Sequence, residues 1–206
     1  TYQTLEQIQI NKDEINVFCL INPGNPDGKL YSYEELKYIH DLINLNKNLY
    51  VISDEVYSEI IFENKKYLSL ASLLNKDQHK QIITINSCSK ANEMSGWRIG
   101  FGITDSEIIE NMTYYQKSIS ANVSNIAQFS AYAALKNEEY YLPDNIKQYE
   151  KKRDLIIKLL KNSQLEAVKP QAGLFILIKF KNDINSQEFC KFMLKKFKMI
   201  IFPGEN

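Results

Sequence analysis

The residues of this chain best suited to chemistry lie in Ser87-Cys-Ser-Lys90 and, shortly after it, Gly96-Trp-Arg-Ile-Gly100. An uncharged lysine amine attacks an aldehyde and can afterwards carry a proton. Arg98 offers a fork of N–H donors that fits a phosphate dianion, and the hydroxyls of Ser87 and Ser89 add further donors. Together these groups suit an aldehyde-bearing, phosphorylated ligand held covalently at Lys90. Taken singly, each has a plainer reading: Lys90 as a lysine on a loop, Arg98 as a surface ion pair. Trp97 reads as a packing residue, and Gly96 and Gly100 as points where the backbone turns tightly.

Two further motifs give those groups a partner. Asp54 closes an apolar run in Val51-Ile-Ser-Asp-Glu-Val-Tyr57. A carboxylate at the end of a buried strand is costly unless it is paired. It would either cap the segment that follows or hold the positive charge of a pyridinium nitrogen. Tyr57 could donate to a phenolate oxygen on the same ring, and Glu55 reads as a solvated or structural charge. Asn25 sits in the turn-rich Asn22-Pro-Gly-Asn-Pro-Asp-Gly28. Alone it is an ordinary turn asparagine; beside Asp54 and Lys90 it becomes a second donor to the ring oxygen.

The elements that must position these side chains follow from periodicity. Short apolar runs at Asn16–Ile21, Tyr50–Ser53, Gln81–Asn86 and Ile99–Thr104 read as strands. Ser32-Tyr-Glu-Glu35 is a capping box that opens a helix reaching about Leu45. Further helices are expected near Ser106–Ile119, Asn125–Leu135, Asp144–Leu160 and Ser186–Phe197, with strands at Leu174–Phe180 and near Met199–Phe202. Strand–helix alternation with near-continuous apolar strands predicts an α/β domain built on a mostly parallel sheet flanked by helices. Ligands of such sheets bind at the carboxyl ends of the strands, where Asn25, Asp54 and Lys90 all fall. A smaller α+β unit should follow, giving a division into 1–143 and 144–206.

Composition narrows the function classes. Lys+Arg and Asp+Glu each total 25 in 206 residues, so net charge is zero and nothing favours nucleic acid or an anionic membrane. Three widely spaced cysteines and two histidines give no metal-ligand spacing, so no metal site is expected. Reduced thiols fit a cytoplasmic protein. No run has the length of a membrane helix and no signal peptide is visible. The absence of GxGxxG after any strand disfavours a dinucleotide dehydrogenase.

The three motifs, in this order and approximate spacing, resemble the signatures of the class I/II aminotransferases, fold-type I enzymes that use pyridoxal 5'-phosphate. Similarity extends through Tyr149-Glu-Lys-Lys-Arg153 and Lys169-Pro-Gln-Ala-Gly-Leu-Phe175. The resemblance implies that Lys90 forms the internal aldimine, a Schiff base, and that Asp54 pairs with the pyridine nitrogen. By the same likeness Asn25 and Tyr57 bind the ring hydroxyl, while Ser87, Ser89 and Arg98 hold the phosphate. It implies amino acid and 2-oxo acid substrates and a homodimer. A lyase or decarboxylase would need the same cofactor residues, and a catalytically silent binding relative is the reading from outside enzymology. One departure is Asp27, where the family usually has threonine. Both ends also read as those of a partial chain, with the rest of the phosphate cradle expected before residue 1 and the substrate-carboxylate arginine expected after residue 206.

Overall fold

The computed structural model describes residues 5–182 and 184–204, apart from the side chain of Glu6. A four-stranded sheet carries the first part of the chain, in the order β1 (Asn16–Ile21), β2 (Leu49–Asp54), β3 (Ile82–Ser87), β4 (Gly100–Ile103). The first three strands are parallel, and β4 runs antiparallel to β3. The expected mostly parallel α/β sheet is therefore present, with one reversed strand.

Between β1 and β2 runs helix α1 (Tyr33–Leu45). Its start is fixed by the capping box: Ser32 Oγ accepts from Glu35 N at 3.2 Å, and Glu35 Oε2 accepts from Ser32 N at 2.9 Å. Leu36, Ile39 and Ile43 recur at helical spacing and are fully buried. They pack on Leu20, Leu49, Val51 and Ile82 of the sheet. Burying each such side chain contributes about 1.5–3 kcal/mol, so this face of the sheet is the main apolar core. The alternation of buried and half-buried residues along β2 fixes its register against α1.

Along β1 the side chains that face away from the buried Leu20 are exposed. Val17 is 58% exposed, and Cys19 and Ile21 are exposed too. Helices α2 (Ser106–Ser120) and α3 (Asn125–Lys136) follow β4, close to their expected bounds. Both carry exposed large apolar side chains, among them Ile119, Ile126 and Phe129.

Helix α4 (Leu142–Leu160) begins at the expected proline and leads to a small antiparallel pair, β5 (Leu165–Ala167) with β6 (Ile178–Phe180), and to α5 (Ser186–Phe197). The strand expected over 174–180 is shorter than its apolar run. Residues 174–177 lie outside any strand, and Leu177 O accepts from Val168 N at 3.0 Å. No strand forms over 199–202, which is apolar but has no neighbouring strand to pair with among the described residues.

Candidate active site

Parallel register brings the three motifs to one edge. Ile21, the last residue of β1, lies beside Asp54, the last residue of β2, and Asp54 in turn lies beside Ile85 of β3. The loops that leave these strands are Asn22–Gly28, Glu55–Phe62 and Cys88–Trp97. Each sequence motif thus sits where its strand ends, as a parallel sheet dictates.

Lys90 and Tyr57 meet. Tyr57 is 3% exposed, and the Lys90 ammonium stands 5.4 Å from its ring centroid. Lys90 itself is half-buried. A cation at this distance over an aromatic face is attracted by the ring quadrupole, which holds the amine at the strand ends and out of bulk water. Asp54 is half-buried, and its Oδ1 accepts from Val56 N at 3.2 Å. That bond turns the chain after β2 and leaves the second carboxylate oxygen available to another donor. Of its two readings, a solvated or a structural charge, Glu55 has the contacts of a structural one. It is 5% exposed and accepts from Ser53 Oγ at 2.9 Å and Ser69 Oγ at 2.7 Å. Burial, and then the negative charge of Glu55, push the nearby Tyr67 hydroxyl well above the usual tyrosine range.

Ser87 and Ser89 form a pair. Their hydroxyl oxygens are 2.8 Å apart, Ser87 Oγ accepts from Ser89 N at 3.0 Å, and it lies 3.0 Å from Ile99 O. These bonds fold the chain from β3 back toward β4. The glycine expectation here is corrected. Gly96 stands in open space, and Arg98 itself takes the left-handed conformation, at φ 53°. Gly100 is needed for a different reason: an added Cβ would lie 3.0 Å from Asn86 O on the neighbouring strand. Arg98 is exposed and donates from Nη1 to Ser95 O at 2.8 Å, which leaves most of its N–H groups free to bind an anion. A cleft lined by Arg98, Gly100, Lys117 and Asn122 opens between β4, α2 and α3. Trp97 does not pack as expected: its side chain is 49% exposed.

Asn25 is exposed, and its loop is closely held. Gly24 N donates to Lys29 O at 2.8 Å, and Asp27 Oδ1 accepts from Lys29 N at 3.1 Å. The aspartate that departs from the family pattern therefore closes the turn with its own side chain.

A strap missed as a site element holds this loop against Tyr57. Gln171 N and Ala172 N both donate to Gly28 O, at 2.9 and 3.0 Å, while Gln171 Oε1 accepts from Leu30 N at 3.0 Å. On its other side, Gly173 N donates to Ile60 O at 2.9 Å, and Phe175 packs edge-on to Tyr57 with ring centroids 6.0 Å apart. Arg153 of α4 secures the strap. Its buried guanidinium donates from Nη1 to Pro170 O at 3.2 Å and pairs with Glu63, Glu150 and Asp154. The signal in the sequence was an arginine on the apolar side of an amphipathic helix, together with Pro-Gln-Ala-Gly before an apolar run.

The chain matches the family described as "Aminotransferase class I and II" over residues 2–206, and it belongs to that family. It is 31% identical over 204 residues to a Rickettsia felis protein named "Probable aspartate/prephenate aminotransferase", covering 93% of this chain and 50% of that protein. It is 33% identical over 215 residues to an aspartate aminotransferase of Pyrococcus abyssi, covering 99% of this chain and 54% of the relative. The crystal structure of an aromatic aminotransferase from Pyrococcus horikoshii superposes with a TM-score of 0.85 at 31% identity, over 92% of this chain and 51% of that one. The chain thus spans about half the length of the relatives it matches.

Proposed function

We propose that this chain is the lysine-bearing part of a pyridoxal phosphate-dependent aminotransferase that moves an amino group between an amino acid and a 2-oxo acid. The observation that carries the reading is the placement of Lys90 over buried Tyr57 at the edge where Asp54 and the Ser87–Ser89 pair also end their strands. Family membership supports it, since class I/II aminotransferases depend on pyridoxal phosphate.

The donor set fits that cofactor. Arg98 has unused N–H groups and the serine pair supplies hydroxyls, as a phosphate needs. Asp54 keeps one carboxylate oxygen for a ring N–H, and Tyr57 and Asn25 would donate to the ring hydroxyl. When bound, the cofactor supplies an aldehyde for covalent capture of amines and a cationic ring that accepts electrons from the substrate. Lys90 would hold the cofactor, yield its place to the substrate amine and then move the proton taken from the substrate carbon. Asp54 would keep the ring nitrogen protonated, and Tyr57 would orient the ring while screening Lys90 from water.

The same reading assigns residues 1–143 to the cofactor-binding large domain and 144–206 to the linking helix and the start of a small domain. Support comes from α4, which separates the four-stranded sheet from the β5–β6 pair. We place the protein in the cytoplasm as a homodimer, following the free cysteines and the family habit; none of the described helices is long and apolar enough to cross a membrane. Product analysis of the full-length protein tests the activity. The expected outcome is a 2-oxo acid and a new amino acid formed one for one. Release of ammonia or carbon dioxide in their place would overturn it.

A further inference from the structure

The three residues after Lys90 are each held by the N-terminal half of α4 or the residue that precedes it. Ala91 is buried in a cluster with Tyr57, Phe62 and Leu142, against which Tyr141, Ile146 and Tyr149 also pack. Asn92 Nδ2 donates to Tyr141 Oη at 2.8 Å, and Tyr141 Oη donates in turn to Ala134 O at 3.0 Å. Glu93 Oε1 accepts from Tyr149 Oη at 2.5 Å, across 56 positions of sequence. Glu93 also holds a left-handed backbone, φ 56°, which costs energy for any residue with a Cβ. Its N–H closes the turn on Lys90 O at 3.2 Å.

A strained turn persists only when its surroundings fix it. Here the fixing contacts are the hydroxyls of two tyrosines on or next to α4, and the residue they fix is the lysine. Burial, and then the hydrogen bond and charge of Glu93, push the Tyr149 hydroxyl up to about 12, so near neutral pH it stays protonated and donates.

We propose that Tyr149 and Glu93 are positioning residues that set the backbone of Lys90 for attachment of its cofactor, with Asn92 and Tyr141 as a second tether. This rests on the pyridoxal phosphate reading above. A pre-set lysine loses less conformational freedom on capture, so loosening the turn slows attachment and weakens retention. It also links Lys90 to the helix that leads into the β5–β6 unit, so a shift of α4 would be felt at the amine.

The test compares full-length wild type with Tyr149→Phe, Glu93→Ala and the double variant. Pyridoxal phosphate is added to each apo-protein, and attachment is followed by the visible band and by borohydride trapping; the dissociation constant and the apo-protein melting temperature are measured alongside. Each single variant should attach cofactor more slowly and bind it about three- to tenfold more weakly, the range of one net hydrogen bond. The double variant should be no worse than the poorer single, because both remove the same bond. Attachment rate and affinity within about twofold of wild type in both single variants would overturn the proposal. So would a loss of melting temperature with the attachment rate unchanged, since that marks a purely structural bond. A wild-type protein that forms no lysine-bound cofactor at all would overturn the functional reading, and this proposal with it.

Discussion

Three glycines near the site differ in what an added methyl group would meet, and so define a graded series. Gly28 has φ +64°, and a Cβ there would lie 2.4 Å from Pro170 Cβ and 2.5 Å from Ala172 O. Left-handed backbone costs an L-residue about 1–2 kcal/mol. Forcing a methyl into packed strap backbone adds about 1–3 kcal/mol. The lower entropy of the unfolded alanine chain returns about 0.4–1 kcal/mol. Gly28→Ala should therefore destabilise by roughly 1–4.6 kcal/mol, a large share of a typical domain's 5–15 kcal/mol. Gly173 has φ +78° but only ordinary contact, 3.9 Å from the Tyr57 ring, so Gly173→Ala carries the backbone strain alone and should cost about 0–1.6 kcal/mol. Gly96 meets nothing within 4 Å, and Gly96→Ala should be neutral or slightly stabilising. Urea denaturation of the full-length protein with each substitution gives the three values. The reasoning is refuted if Gly28→Ala costs no more than Gly96→Ala, because the strap would then not press on the Asn25 loop.

Arg153 supports two further expectations. Arg153→Met keeps the bulk over Phe62 but leaves the Pro170 carbonyl without its donor; a loss of about 1–3 kcal/mol is expected in the same denaturation assay, and a change under about 0.5 kcal/mol would show the carbonyl to be otherwise satisfied. The carboxyls around it give a pH signature. The Lys169 ammonium, with Arg153, holds the Glu63 carboxyl below its ordinary range, and Arg153 does the same for Asp154. A carboxyl with a depressed folded-state pKa adds stability above its unfolded value and loses it as pH falls through the folded one. Melting temperature should thus fall as pH drops below about 4, and fall less steeply in Arg153→Met; parallel curves would contradict the assignment.

Legibility in the sequence followed the range of the cause. Local rules were readable: the capping box at Ser32 and Glu35, the buried stripe of α1, and strand ends at Asp54 and Ser87 that parallel register brings to one edge. Those rules placed Lys90, Asp54 and Tyr57 on a common rim, and the Lys90–Tyr57 contact follows from it. Long-range contacts were not readable. Nothing local to Glu93 announces a tyrosine 56 positions away, and nothing at Gln171 announces a bond to Leu30. The glycines of Gly96-Trp-Arg-Ile-Gly100 misled for a related reason. Glycine is the usual residue of a left-handed turn, yet here Arg98 itself takes that conformation, with its Nη1 donating to Ser95 O. Trp97 misled through its type, since size alone does not tell which face a neighbouring element covers.

The central claim is that Lys90 carries the cofactor. Borohydride reduction of the full-length protein loaded with pyridoxal phosphate, followed by peptide mass mapping, tests it most directly. The account predicts a pyridoxyl phosphate label on the peptide that holds Lys90, and loss of both label and visible band in Lys90→Ala. A label on another lysine, or a band and label retained in Lys90→Ala, would contradict it.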